Sequence, residues 1–457
     1  MSASNHLGQA PIRSLFFQYY GPALISILSS TTHQVINGVI LGQQVGREGL
    51  AAVGLYGPVV IVFVALTLPI MIGGGVLIGK SIGAADYAKT QQIFQFATTL
   101  VVITGGIVAL GAPLMAVPLA KFLAGTANRT LVDNTADYIF WQLTGLPFFF
   151  LGMIWGNFVR ADNAPTVSRN AAVVAAVVNI ALDLILVVGF HKGVAGASVA
   201  TAIALFSGTA YLFVYIQKGN SHYSFTHFRF TLKPGEWNEL LTIGMPSFAS
   251  EVAFSSGLLL INHALIDYGP IAVSAFGLVN YLSFILIRLF TAAMIAAFPI
   301  LSFNIGAKLP HRVFETLRFS LLFTALAGSF IAVLGFLLPD RLVALFSGDK
   351  TAAYQRVASQ AMSLYFLLFL AAGPNYILAA YLQSIGKSTV STLINMLKGF
   401  IFITACLLVL PGYFQLGLTG VWLSRSLAEI LTLLLVGLYT IYHRDKYYAE
   451  NVIVPTV

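Results

Sequence analysis

The chain has 457 residues, 58% hydrophobic and 9% charged, with a formal net charge of +8 and a mean hydropathy of +0.86. A soluble globular domain of that make-up could not cover its surface with polar groups, which excludes one. The alternating strands of about 10 residues that a membrane β-barrel needs are absent, which leaves an all-α polytopic membrane protein. Its 41 glycines and 17 prolines suit helices whose broken backbone is satisfied by neighbouring helices.

In chain order, Met1–Arg13 is polar and lacks the short apolar core of a removable signal peptide. Apolar runs then predict twelve spans, at 14–42, 50–79, 92–120, 132–158, 166–189, 193–217, 238–266, 271–303, 314–338, 352–383, 389–411 and 415–443. Each is long enough to cross roughly 30 Å of hydrocarbon. The first span carries His33, Gln34 and Asn37 in the stretch SSTTHQVINGVILGQQ, 29–44, and such groups are costly in lipid unless partnered. The fourth holds FWQLTGLPFFFLGMIWGNF, 140–158, whose aromatic faces could line a cavity for an apolar organic cation.

Of the acidic residues only Asp183, Glu251 and Glu429 fall well inside spans, and intramembrane ionisable groups mark function by default. Asp183 follows Asn179 by four positions, so both side chains share one face of the fifth span; a proton or cation site is expected there. Glu251, in the seventh span, reads either as a second protonatable site or as the partner of Arg288 in a structural ion pair. Glu429 follows Arg425 by four, the spacing of an intrahelical salt bridge. His33 and His263 read as hydrogen-bonded core, and Cys406 is the single cysteine.

No G-x-x-x-x-G-K-[ST] run is present, so nucleotide is not bound in that way, and no HExxH or His/Cys/Asp cluster supports a membrane metalloenzyme. The basic residues are spread over short loops rather than gathered in the patch that nucleic acid requires. They favour the face shared with the two termini, among them Arg13, Lys80, Lys89, Arg160, Arg169, Lys233, Lys398, Arg444 and Lys446, over the face carrying Arg47, Lys121, Arg129, Lys192, Arg341, Lys350 and Arg356. The positive-inside rule therefore places both termini in the cytoplasm.

The halves repeat. Gly54 and Gly277, Gly83 and Gly306, and Ser168 and Ser391 each differ by 223 positions, and GVAGASVAT at 193–201 answers GLTGVWLSR at 417–425. Six spans per copy give both copies one orientation, related by a pseudo-two-fold axis along the membrane normal. The expected organisation is an N-terminal lobe over 1–216, a cytoplasmic connector over 217–238, and a C-terminal lobe with its tail over 239–457. Transporters built this way bind substrate at the repeats and alternate access by rocking.

Pro22 followed by VINGVILGQQVGREGLAAVGL, the KSIGAAD after the second span, RADNAPTVSRNAAVVAAVVNIALDLIL, GVAGASVAT and GMPSFASEVAF carry a resemblance over essentially the whole chain. It resembles the multidrug and toxic compound extrusion (MATE) transporters, in particular the prokaryotic branch named after the DNA-damage-inducible F protein. The resemblance implies an efflux antiporter of a bacterial inner membrane, monomeric among membrane lipid, exporting organic cations and other small-molecule drugs through a V-shaped cleft. It implies no cofactor beyond the coupling ion, H+ or Na+, with Asp183 as the carboxylate for Na+.

Carried over, the family's N-lobe cation site falls on Asn37, Tyr138, Asn179, Asp183 and Thr201. Its bend point in span one falls on Pro22, and its substrate-lining region near Gln34, Trp141 and Asn157. Glu251 matches the acidic residue of a C-lobe site, with Arg288 nearby in the sequence, but the acidic partner expected on span ten is missing: FLAAGPNYILAAYLQ offers Asn375, Tyr376 and Gln383. The family usually has Asp where this chain has Asn37. An amide cannot titrate, though it hydrogen-bonds much as a protonated acid does, so weak coupling is expected, to be raised by Asn37→Asp. The alternative within the same superfamily is a lipid-linked oligosaccharide flippase. That reading is disfavoured because only Arg288 and Arg425 are placed as basic residues inside spans.

Overall fold

The computed structural model describes residues 3–126, 128–226, 228–232, 234–346 and 351–443. Of the sequence expectations, the basic residues Lys233, Lys350, Arg444 and Lys446 and the C-terminal tail from 444 lie outside the described residues. Within them every regular element is helical. Eleven helices are long and apolar enough to cross a membrane, or twelve when a bent pair is counted as one span. Side chains that would be stranded in water mark the lipid face: Leu110, Leu114 and Phe122 are 84, 80 and 83% exposed, which only an apolar solvent makes tolerable.

The described helices fall into two compact units, one built from Gly21–Gly244 and the other from Asn5–Tyr20 with Met245 onward. The first unit contains most of α2 (Ile12–Gln44), then α3 (Arg47–Gly83), α4 (Tyr87–Ala124), α5 (Arg129–Thr144), α6 (Leu146–Ala161), α7 (Pro165–Asp183) and α8 (Gly193–Gln217). Asp86 caps α4 by accepting from the Lys89 N–H at 2.9 Å, and Asn128 caps α5 through the Leu131 N–H at 3.0 Å. These side chains satisfy donors that a helix start leaves open. The predicted fourth span is in fact two helices, α5 and α6, bent by 46°. Pro147 lies at the start of α6, and a proline cannot continue the hydrogen-bond ladder of the preceding turn. After Asp183 the helix widens into a π-turn over Leu184–Gly189.

The second unit holds α9 (Pro234–Ile266) from Met245 onward, α10 (Pro270–Gly306), α11 (Pro310–Leu337), the short α12 (Pro339–Phe346), α13 (Ala352–Tyr365), α14 (Phe369–Ser384), α15 (Ser388–Met396), α16 (Phe402–Leu408) and α17 (Gly417–Tyr442). π-Turns at Leu397–Ile401 and Val409–Tyr413 interrupt the eleventh span. Its apolar core gathers Phe276, Phe290, Tyr365, Phe366 and Trp422.

Two features depart from the sequence expectation. The polar N-terminus forms α1 (Ala3–Gln9), and residues 5–20 group with the second unit rather than the first. Arg312 explains why: its Nη2 donates to the carbonyls of Leu7 at 3.0 Å and Ala10 at 2.7 Å, and its Nε to Asn304 Oδ1 at 3.1 Å. Leu7, 1% exposed, is thereby fixed. The division between units consequently falls inside α2, between Tyr20 and Gly21, one residue before Pro22.

The connector also finds a partner. His222 binds Asp162 twice, through its backbone N–H to Oδ2 at 3.0 Å and through its ring Nδ1 to Oδ1. Gln91 exchanges two hydrogen bonds with the Ser224 backbone, at 2.9 and 2.8 Å. Tyr223 stacks on Phe94 at 4.5 Å. Its first half therefore folds back onto the first unit.

Candidate functional site: a buried carboxyl in the first unit

The helix α7 puts Asn179 and Asp183 on one face, and α8 packs that face with Thr201. Asn179 and Asp183 are 1% and 0% exposed. Two orientations of the Asn179 amide are compatible with this geometry, because oxygen and nitrogen occupy equivalent places. In one, Nδ2 donates to Thr201 Oγ1 at 3.2 Å and Thr201 Oγ1 in turn donates a hydrogen bond to the Ala197 carbonyl at 3.0 Å. In the other, Nδ2 donates to Asp183 Oδ2 at 3.3 Å while Oδ1 faces the Thr201 N–H at 3.3 Å. Asp183 Oδ1 has no hydrogen-bond partner.

Tyr138 of α5, 7% exposed, lies within electrostatic reach of Asp183 and beside Gln142. Tyr56 of α3 meets the Tyr138 ring edge-on at 5.5 Å. Sequence reasoning missed Tyr56 and Gln142; the only available signal was their polarity inside apolar helices. It also missed the π-turn that begins immediately after Asp183. Such turns are frequent at functional sites.

Asn37 is 7% exposed and shares a face of α2 with Ile40 and Leu41, which join Tyr56, Tyr138 and Val187 in the core of this unit. Its Oδ1 has no hydrogen-bond partner, so the structure brings Asn37 to the same core without bonding it to Asp183. Gln34 is exposed and Trp141 half-buried. Asn157, 9% exposed, lays its Oδ1 against Gly75 of α3, 1.8 Å from where a Cβ would stand. His33 Nδ1 donates to the Ser29 carbonyl at 3.1 Å, but His33 is half-buried and His263 exposed, so neither is the core histidine the sequence suggested. Pro22 sits inside α2, and its carbonyl accepts from Ser26 Oγ at 2.9 Å. A cavity of about 310 Å³ at the polar ends of α3 and α4, lined by Asp86, Lys89 and Glu239, includes none of these residues.

In the second unit Glu251 and Arg288 do not form the ion pair that was one reading of the sequence: Arg288 instead lies over the Phe284 ring at 4.2 Å, with its Nε unpartnered. The Arg425–Glu429 pair is present at 3.7 Å. Lys398 requires a correction. It was placed on the cytoplasmic face, but it lies in the π-turn within the eleventh span and is 5% exposed. Lys398 therefore joins Arg288 and Arg425 as a basic residue near the middle of a span in the second half.

Comparison with known proteins gives a family model, MatE, that matches twice, over residues 22–185 and 246–408. Both matches begin at a proline, Pro22 and Pro246, as the internal repeat requires. The multidrug export protein MepA of Staphylococcus aureus (strain NCTC 8325 / PS 47) is 27% identical over 451 residues, 96% of this chain and 95% of that protein. MepA of Staphylococcus saprophyticus is 26% identical over 431 residues, covering 93% and 92%. Among solved structures, one described as MATE in the bent conformation superposes with a TM-score of 0.90 at 18% identity, over 99% of this chain and 100% of that one. Another, described as an outward-facing multidrug resistance MATE family transporter, gives 0.87 at 18% identity over 98% and 99%.

Proposed function

The chain belongs to the MATE family of multidrug export transporters, and from that premise we propose that it expels amphipathic, often cationic, organic compounds in exchange for H+, or Na+ in its place, through Asp183. The transporter is multi-pass and not an enzyme. The observation that carries the coupling proposal is the Asp183 carboxyl itself, fully buried, with one oxygen unpartnered and the other facing an amide that satisfies it in one orientation only.

A proton suits this arrangement. When Asp183 is ionised it can only accept, so the Asn179 amide turns its Nδ2 to Oδ2. When Asp183 is protonated it donates to the amide oxygen, and the Nδ2 is released to Thr201 Oγ1, which donates a hydrogen bond to the Ala197 carbonyl. The amide thus relays the state of the carboxyl from α7 to α8. Tyr138 closes the site on the α5 side. Asn37 stays neutral throughout and leaves Asp183 as the titrating group of the site, which weakens coupling relative to a chain with Asp there.

The bend in α2 at Pro22 supplies the conformational step of this reading. Pro22 lacks the N–H that would tie it to the preceding turn, and the division between the units falls just before it, between Tyr20 and Gly21. Inner-membrane residence with both termini cytoplasmic, and a monomer surrounded by lipid, complete the proposal. The test is norfloxacin efflux from proteoliposomes under an imposed pH or Na+ gradient. Efflux driven by the gradient and lost in Asp183→Asn supports it; gradient-independent efflux contradicts it.

A further inference from the structure

The second unit buries charges that the coupling reading does not use. Lys398, Arg425 and Glu429 are 5, 3 and 1% exposed, and Asn375 is fully buried among them. They come from three different spans, Lys398 from the π-turn, Arg425 and Glu429 from α17, and Asn375 from α14. Burying a charge without a partner is costly in a membrane protein, so the pairing has to be followed atom by atom.

Glu429 takes its short hydrogen bond from Asn375, whose Nδ2 donates to the carboxylate at 2.7 Å and to the Glu429 carbonyl at 2.9 Å. Arg425 reaches the same carboxylate only through Nη2, at 3.7 Å, beyond hydrogen-bonding distance. Its Nε and Nη1 are buried with no partner. Lys398 has no carboxylate partner among the described residues; its ammonium sits 3.9 Å over the Tyr376 ring. Arg425 likewise lies over Phe254, at 5.1 Å. One carboxylate therefore faces two cations, and at least two guanidinium donors point at nothing.

Phe254, Tyr376, Glu251 and Arg288 are half-buried and form a more open rim. Tyr376 lies within electrostatic reach of Glu251, Arg288, Arg425 and Glu429, which ties rim and base together. Across the rim the count is three cations to two carboxylates, with Arg288 Nε also unpartnered. The π-turn that carries Lys398 has no counterpart in the first half, where the equivalent stretch of α7 is regular helix. Close packing holds it against α9: a Cβ on Gly257 would stand 2.1 Å from the Gly399 carbonyl.

We propose that this basic, aromatic-walled site in the second unit binds the carboxylate of a zwitterionic or anionic amphipathic substrate, with Arg425 and Lys398 as its anchors. A carboxylate accepts charge-assisted N–H bonds from a guanidinium and from an ammonium; Arg425 Nε and Nη1, on different edges of the guanidinium, each lack an acceptor, while Phe254 and Tyr376 supply apolar faces for the rest of the molecule. The substrate class rests on the export reading above and extends it beyond organic cations.

The test is equilibrium binding of norfloxacin and of norfloxacin ethyl ester to the full-length protein in lipid nanodiscs, without any gradient. The two share the ring system and the amine and differ in the free carboxylate. The acid is expected to bind at least about tenfold more tightly than the ester, and Arg425→Gln or Lys398→Gln to bring the ratio close to one. Should Arg425→Gln fail to fold, Lys398→Gln gives the same readout. Asp183→Asn retains the ratio, so loss of coupled efflux with the ratio intact removes the export mechanism and leaves this site standing. An acid that binds no more tightly than its ester, or a ratio unmoved by both variants, overturns the proposal. So does a site that only chloride fills, seen as chloride stabilisation of the protein without a preference for the acid.

Discussion

Asn37 and Asp183 stand in one core, but only one of them can change charge. Restoring a carboxyl with Asn37→Asp gives the site a second titrating group, and gradient-driven efflux is expected to rise about tenfold, the scale set by one strong charged contact; initial rates in proteoliposomes at matched protein density check this. Asn179→Ala removes the amide that donates to Asp183 Oδ2 in one of its two orientations and is expected to lower coupled efflux while leaving substrate binding in place. Where the connector folds back onto the unit, the hydrogen bond that the His222 imidazole donates to the Asp162 carboxylate holds it above its ordinary titration range, against the opposing effect of burial. The sign follows: a raised folded-state value stabilises below the unfolded value of about 6.5 and the gain is lost as pH climbs through the folded one. His222→Gln should therefore lower the unfolding temperature at pH 6, by about 2 kcal/mol of stability, and less at pH 9; an equal effect at both contradicts the charged clasp.

At the scale of single elements, the helices are placed by prolines, caps and close contacts. The bend between α5 and α6 was legible in principle from the G-L-P at 145–147, but a run of aromatics on both sides made the segment look continuous. The π-turns were not legible, since they arise from packing and no residue type demands them. Lys398, by contrast, was legible: position 398 lies in the middle of the predicted span 389–411, and only its count among the loop cations was at fault. Helix α11 crosses α14 at Gly328, where a Cβ would stand 2.0 Å from the Phe369 carbonyl. Backbone cannot yield as a flexible side chain does, so Gly328→Ala is expected to destabilise the second unit by about 1–3 kcal/mol, read as a lower unfolding temperature in detergent. Gly437→Ala, with nothing within 4 Å of the added carbon, is the neutral control.

For the whole molecule, twelve spans, the doubled architecture and the buried acid were readable because composition, the 223-residue offset and the rarity of intramembrane carboxylates are each one-dimensional signals. The grouping of residues 5–20 with the second unit was not, because it depends on Arg312 reaching a carbonyl about 300 positions away in sequence. Neither were the two unpartnered nitrogens of Arg425, which its ion pair with Glu429 leaves open. Lys398 adds a buried cation to the spans, a feature a flippase would also use, but the match to multidrug export proteins over 96% of the chain favours drug export. Pro22→Ala restores a backbone donor at the division between the units and is expected to slow efflux several-fold without loss of the fold. The most direct measurement is norfloxacin efflux from proteoliposomes under an imposed pH gradient, with the natural chain, Asn37→Asp and Asp183→Asn side by side. The account predicts that order of rates with Asn37→Asp first, the natural chain second and Asp183→Asn at background. Asp183→Asn running at the rate of the natural chain would contradict it.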